Sequence, residues 1–155
     1  MMLPLLAAAT LGAACPAASG PAVLVDVVGL KDRSGQVRVR VFGGATETYF
    51  DKRQVLKRIE VPVPAAGRVS FCVPVPRPGL YAVDVRHDTN MNGKTDRSDG
   101  GGASGNPKVG LLDVIFGRKP DPRKVQVQVG NGAAPVPITV LYLQGGAFRP
   151  WSRNG

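Results

Sequence analysis

The sequence predicts an all-β protein, a single-domain antiparallel β-sandwich with one long Gly-rich loop. Three observations carry this. Valine-rich runs alternate apolar and polar residues with period two, as in Gln36-Val37-Arg38-Val39-Arg40-Val41, which is the pattern of a strand with one face buried and one in water. Turn signals separate the runs at Ser34-Gly35, Ala66-Gly67, Pro78-Gly79 and Gly130-Asn131-Gly132. The 155 residues, with 20 Gly and 14 Pro, suit one turn-rich domain large enough for a core.

Seven or eight strands follow in order. They are Val23 to Val28, Gln36 to Val41, Lys57 to Val63, Val69 to Val73, Leu80 to His87, Leu111 to Phe116, Lys124 to Val129 and Ile138 to Leu143. Leu111 to Phe116 is apolar enough to read as buried, whereas Lys124 to Val129 shows the clearest alternation. Tyr49 to Leu56 is the one helical candidate, and residues 97–110 form the Gly-rich loop. The sandwich domain spans 22–144, and 145–155 reads as a flexible tail.

Residues 1–20 read as an export signal: an apolar, uncharged run to Ala14 is followed by small residues, with cleavage near Ala18 or Gly20. The positive residue expected before the run is missing. Gly12-Ala13-Ala14-Cys15 also resembles a lipoprotein cleavage box, with Gly12 where Leu is usual. The protein is thus expected to be exported, periplasmic or extracellular, either free or lipid-anchored at Cys15, and without a transmembrane segment in the mature chain. If cleavage removes Cys15, Cys72 is the one remaining cysteine, no intrachain disulfide forms, and Cys72 is a bystander thiol.

The net charge of +9 is scattered in pairs such as Arg38/Arg40, Lys57/Arg58 and Arg123/Lys124. Without a basic block or interleaved aromatics, the sequence speaks against nucleic acid as a partner. For an exported chain the natural anionic partners are envelope polysaccharide and membrane surface, and a merely solvated basic surface is the alternative.

The segment His87-Asp88-Thr89-Asn90-Met91-Asn92-Gly93-Lys94-Thr95-Asp96-Arg97-Ser98-Asp99 carries the chemistry. From Asp88 it reads D-x-N-x-N-G-x-x-D-x-x-D, the ligand order of an EF-hand-type Ca²⁺ loop. Asp88 supplies a carboxylate, Asn90 and Asn92 amide oxygens, Lys94 its backbone carbonyl, Asp96 a direct or water-mediated ligand, and Asp99 the last position. Gly93 permits the sharp turn. Asp99 is shorter than the usual bidentate Glu and predicts weaker binding. Strands flank the loop in place of helices, and a polar Asn/Gly/Asp turn without metal is the alternative reading.

No enzyme constellation emerges, and the expectation is a non-enzyme. His87, the single histidine, alternates onto the Tyr81/Val83/Val85 side and reads as a packed strand-end residue. Ser104 lacks the strand–elbow–helix setting of a hydrolase nucleophile.

The Pro78-Gly79-Leu80-Tyr81-Ala82-Val83 strand followed by the H-D-x-N-x-N-G-K-x-D string at His87 to Asp96 resembles a bacterial family, domain of unknown function 2141, over roughly residues 22–143. Gly102-Ala103-Ser104-Gly105-Asn106 is similar to a later stretch of that family, with Ala103 in place of an aromatic. The resemblance implies an exported β-sandwich of prealbumin-like, Greek-key type with no established activity. The functional expectation is a Ca²⁺-holding binding or structural module of the cell envelope. The alternatives are a Ca²⁺-assisted carbohydrate-binding module, which needs exposed aromatics near the loop, and a hydrolase, which needs a pocket around His87 and Ser104.

Overall fold

The computed structural model describes residues 15–16 and 20–153, so most of the expected export signal lies outside the described residues. Ten strands form two sheets. They are β1 (Ala22–Val28), β2 (Gln36–Gly43), β3 (Lys57–Pro62), β4 (Val69–Pro74), β5 (Gly79–Asp88), β6 (Gly100–Ala103), β7 (Val127–Val129), β8 (Ala133–Thr139), β9 (Leu141–Gln144) and β10 (Ala147–Pro150). The smaller sheet has the order β4-β1-β8, and the larger runs β10-β9-β6-β5-β2-β3, with β7 also paired to β5. The all-β sandwich is therefore as expected. One pairing departs from a purely antiparallel pattern: β1 and β8 run parallel, with Val25 opposite Val136.

Alternation builds the core. Val23, Val25 and Val27 of β1 face Val37, Val39 and Val41 of β2 and Val83 and Val85 of β5, with Phe71, Ile138 and Tyr142, all buried in one cluster. The intervening residues point outward, where they pair by charge: Arg40 lies opposite Asp84 across β2 and β5 and binds it with two guanidinium nitrogens. Its neighbour Arg38 has a pKa lowered to about 10, first by burial and further by Arg40, Arg86 and Arg58, against the pull of Asp84. A second cluster of Phe42, Tyr49, Ala82 and Val125 fills one end, and Ala103 packs against it.

Several local expectations need correction. Leu111 to Phe116 is not a buried strand but a short helix, α1 (Leu111–Ile115), with Leu112, Ile115 and Phe116 exposed. A short apolar run does not distinguish the two states. Here Asp113 reaches back to the Gly110 N–H at 3.0 Å and closes the first turn. Lys124 to Val129 is split: Asp121 accepts the Arg123 N–H, Pro122 starts helix α2 (Pro122–Val125), and only Val127–Val129 is strand. Tyr49 to Leu56 forms no α-helix; a 3-10 turn at Thr46–Thr48 precedes it, and Phe50 has a positive φ of 62°. Within the expected 97–110 loop, Gly100–Ala103 is strand β6, and within the expected flexible tail Ala147–Pro150 is strand β10, paired to β9.

Cys72 is not a lone thiol. It forms a disulfide with Cys15, with Cα atoms 5.1 Å apart. β4 lies at the edge of the small sheet, so the bond ties the residues before β1 to that edge.

Candidate functional site

The ladder between β5 and β6 ends with His87 opposite Gly100. The next residues on the two strands are Asp88 and Asp99, so strand pairing brings together the first and last positions of the loop. Flanking helices do the same for an EF-hand loop. Both carboxylates are buried, Asp88 fully.

The loop is held by its own side chains. Asp88 Oδ2 accepts the Gly93 N–H at 2.8 Å, and Gly93 turns the chain with φ 73°. Asn90 Oδ1 accepts the Asn92 N–H at 3.3 Å, and Asn92 Oδ1 accepts the Lys94 N–H at 2.9 Å, two successive Asx turns. Asp96 Oδ2 accepts from both asparagine amides, at 3.0 and 2.7 Å, so positions 3, 5 and 9 converge. Asp99 Oδ1 accepts the Thr89 N–H at 3.0 Å, and its Oδ2 accepts the Asp96 N–H at 2.8 Å. Lys94 is exposed.

One atom stands apart: Asp88 Oδ1 is buried and has no hydrogen-bond partner. A buried carboxylate oxygen without a donor is costly unless something binds it. Burial pushes the Asp88 pKa up, but bonds from Gly93 and Gln36, the Arg86 charge and the Asn92 N–H outweigh this and hold it below the usual carboxylate range. Arg86 Nη2 lies 3.7 Å from Asp88 Oδ2 and donates to the Gly93 carbonyl at 3.4 Å. The donor set is oxygen-rich and suits a hard cation. Among the described residues, however, no three Asp, Glu, His or Cys side chains lie together as a metal cluster. The structure joins Asn90, Asn92 and Asp96 and pairs Asp88 with Asp99 at the base; it does not draw the three aspartates into one group.

The same carboxylates predict a pH response. The pKa values of Asp88 and of Asp26, the latter bonded by Arg68, are lowered in the fold, whereas an unfolded Asp titrates near 3.9. Their stabilisation is complete above the unfolded value and is withdrawn as pH falls through it toward the folded ones. Urea unfolding is expected to show their contribution lost as pH falls below about 4; an unchanged midpoint between about pH 5 and pH 3 would contradict the placement of these bonds.

The loop base rests on a polar network. His87 is fully buried, as its alternation predicts. The Ser34 carbonyl can only accept, so Nε2–H donates to it at 2.7 Å. In that tautomer Nδ1 accepts the Tyr142 hydroxyl proton at 2.7 Å, and the same hydroxyl oxygen accepts the Lys31 N–H at 3.1 Å. Burial pushes the Tyr142 phenol up to about 12, with Asp32 and Asp99 adding to this against the Lys31 bond, so it keeps its proton at neutral pH. Gly35 packs beside this network: a Cβ there would lie 1.9 Å from the Asp88 carbonyl oxygen, and its φ is 67°. Ser104 is equally committed, accepting the Val83 N–H at 3.0 Å and donating to the Val125 carbonyl. Sequence reasoning found His87 but not Tyr142, whose partner lies 55 residues away.

An aromatic also stands near the loop. Trp151 is 43% exposed and packs edge-on against Tyr142 at 6.0 Å. Lys31 Nζ lies 5.8 Å from its ring centroid and donates to the Ser98 carbonyl within the loop at 2.5 Å.

The model of a family described as an uncharacterized protein conserved in bacteria, domain of unknown function 2141, matches residues 25–136. The chain belongs to this family. The family match begins within β1 and spans β2 to β7 together with the whole 88–99 segment. No curated protein and no solved structure matches the chain. Among the described residues no helix is long and apolar enough to cross a membrane.

Proposed function

We propose that this member of the family is an exported β-sandwich module of the bacterial cell envelope whose 88–99 loop binds Ca²⁺. The observation that carries the reading is the buried, unpartnered Oδ1 of Asp88 at the first position of D-x-N-x-N-G-x-x-D-x-x-D. A cation there takes the lone pairs that no donor satisfies. Asn90, Asn92, the Lys94 carbonyl, Asp96 and Asp99 would join Asp88 in holding it, through the oxygen ligands a hard cation takes. Ca²⁺ then acts as a structural staple between β5 and β6, and the module serves binding or support rather than catalysis.

Export is supported by the Cys15–Cys72 disulfide, because such bonds persist in oxidising compartments. A Cys15 sulfur engaged with Cys72 carries no lipid thioether. The exported form proposed here therefore keeps Cys15, is cut upstream of it and is not lipid-anchored.

Calorimetric titration of the full, oxidised chain with Ca²⁺ tests the loop, with Mg²⁺ as control. One saturable site per chain is expected, lost in Asp88→Ala/Asp96→Ala. Ca²⁺ at about one hundred times its Kd should raise stability by about 2.7 kcal/mol. Absence of heat and of thermal shift at millimolar Ca²⁺ would reduce the loop to a polar turn.

Trp151 favours a second reading, Ca²⁺-assisted recognition of carbohydrate, because an exposed ring beside a Ca²⁺ loop is the feature that reading requires. Under it, an acidic polysaccharide added to the same titration quenches the fluorescence of Trp151, the single tryptophan, only when Ca²⁺ is present.

A further inference from the structure

On the outer face of the large sheet runs a groove of about 1000 Å³, at the upper end of the range for small-molecule sites. Its floor crosses β6, β9 and β10. Gly100 and Gly102 turn toward the core, where an added Cβ would meet Tyr142 and Ile138. By alternation Gly101 faces out, and a Cβ there meets only the Val85 carbonyl oxygen, at 3.4 Å. Tight packing explains the first two glycines and leaves Gly101 unexplained, as expected where a ligand approaches the backbone closely. Leu141, Leu143 and Phe148 continue the floor, and Val114 and Ile115 form the opposing wall.

This wall is itself exposed and apolar: Leu111, Val114 and Ile115 are 36%, 51% and 62% exposed. A run of large apolar side chains left in water marks a binding surface. Charge narrows the occupant. Of the lining carboxylates, Asp84 is neutralised by Arg40, whereas Asp96 and Asp99 accept from neutral amide and backbone N–H groups and keep their charge. Of the lining cations, Lys119 reaches only the Glu47 carbonyl, at 3.4 Å, Arg118 has an exposed contact with Asp113 at 3.8 Å, and Arg97 makes no ion pair among the described residues. The positive charge is local: Arg118 and Lys119, adjacent in the chain just after α1, give the groove a cationic corner.

We propose that this groove binds a single-chain anionic amphiphile, a long-chain fatty acid. The acyl chain lies over Gly101 between Leu141, Leu143 and Phe148 on one side and Val114 and Ile115 on the other. The carboxylate meets Arg118 and Lys119. The groove shares Asp96 and Asp99 with the loop in its lining, but the contacts proposed for the fatty acid use neither, so the site does not rest on Ca²⁺ binding.

The test is titration of the full, oxidised chain with cis-parinaric acid, whose emission rises in apolar surroundings, in Ca²⁺-free buffer. One saturable site is expected, competed by oleate at least about tenfold more strongly than by oleyl alcohol, a factor of the size one head-group ion pair supplies. Gly101→Val fills the floor with a side chain suited to a strand and should weaken binding at least about tenfold with thermal stability retained. Ile115→Glu, on the exposed wall, should do the same without touching the sheet. Arg118→Glu/Lys119→Glu should abolish the preference for oleate over the alcohol. Absence of binding, or binding unaltered by both Gly101→Val and Ile115→Glu, overturns the proposal. So does co-sedimentation with phosphatidylglycerol vesicles in the absence of any parinarate site, which would make the apolar wall a membrane contact.

Discussion

Replacing Cys72 with Ala, or reducing the Cys15–Cys72 bond, is expected to lower the unfolding free energy by about 4 kcal/mol. The bond closes a loop with a sequence separation of 57, and constraining the unfolded chain over that length gives this magnitude. For a domain of this size the midpoint should fall by about 8–16 °C. Thermal unfolding with and without reductant measures it, and the intact mass of the exported protein, before and after reduction, shows whether Cys15 is retained. A midpoint indifferent to reductant, with a mass lacking Cys15, would restore cleavage near Ala18 or Gly20 and leave Cys72 as a free thiol. Retention of Cys15 with a large shift supports the proposed upstream cut.

His87→Ala should destabilise by about 3–5 kcal/mol, the range for removing a buried ring. The substitution opens a cavity beneath the loop and orphans the Ser34 carbonyl, which is bonded by Nε2–H at 2.7 Å. Tyr142→Phe keeps the ring and removes only the hydroxyl, which leaves His87 Nδ1 and the Lys31 N–H without their partner. It should cost about 1–3 kcal/mol. Chemical denaturation of both single variants and the double variant separates the pair. Coupling of about 0.5–3 kcal/mol is expected for two side chains in one network. Strict additivity would mean that the hydrogen bond between them contributes nothing. The loop should respond as well, because Asp88 follows His87 directly and β9 carries Tyr142 beneath Gly100.

The valine periodicity was enough to place β1, β2, β4 and β5 nearly to the residue, because each has one face in the core and one in water. It misled at Leu111 to Phe116 and at Lys124 to Val129. There a local cap from Asp113 or Asp121 decides the backbone, and an apolar or alternating run read without its cap points to a strand. The six candidate ligand residues of the loop were legible because their spacing is local. Which of them converge was not, since that depends on hydrogen bonds between side chains, such as those of Asn90 and Asn92 to Asp96.

By itself, then, the sequence determined the all-β class, the first strands, the loop motif and the family. Each rests on contacts or patterns within a few residues of chain, where periodicity and turn chemistry act directly. Tertiary structure alone decided the parallel pairing of β1 with β8, the Cys15–Cys72 bond, the Tyr142–His87 pair and the groove over Gly101. These join residues far apart in the chain. Their partners are selected by which edges and faces the packed sheets leave adjacent, a choice that no local pattern encodes.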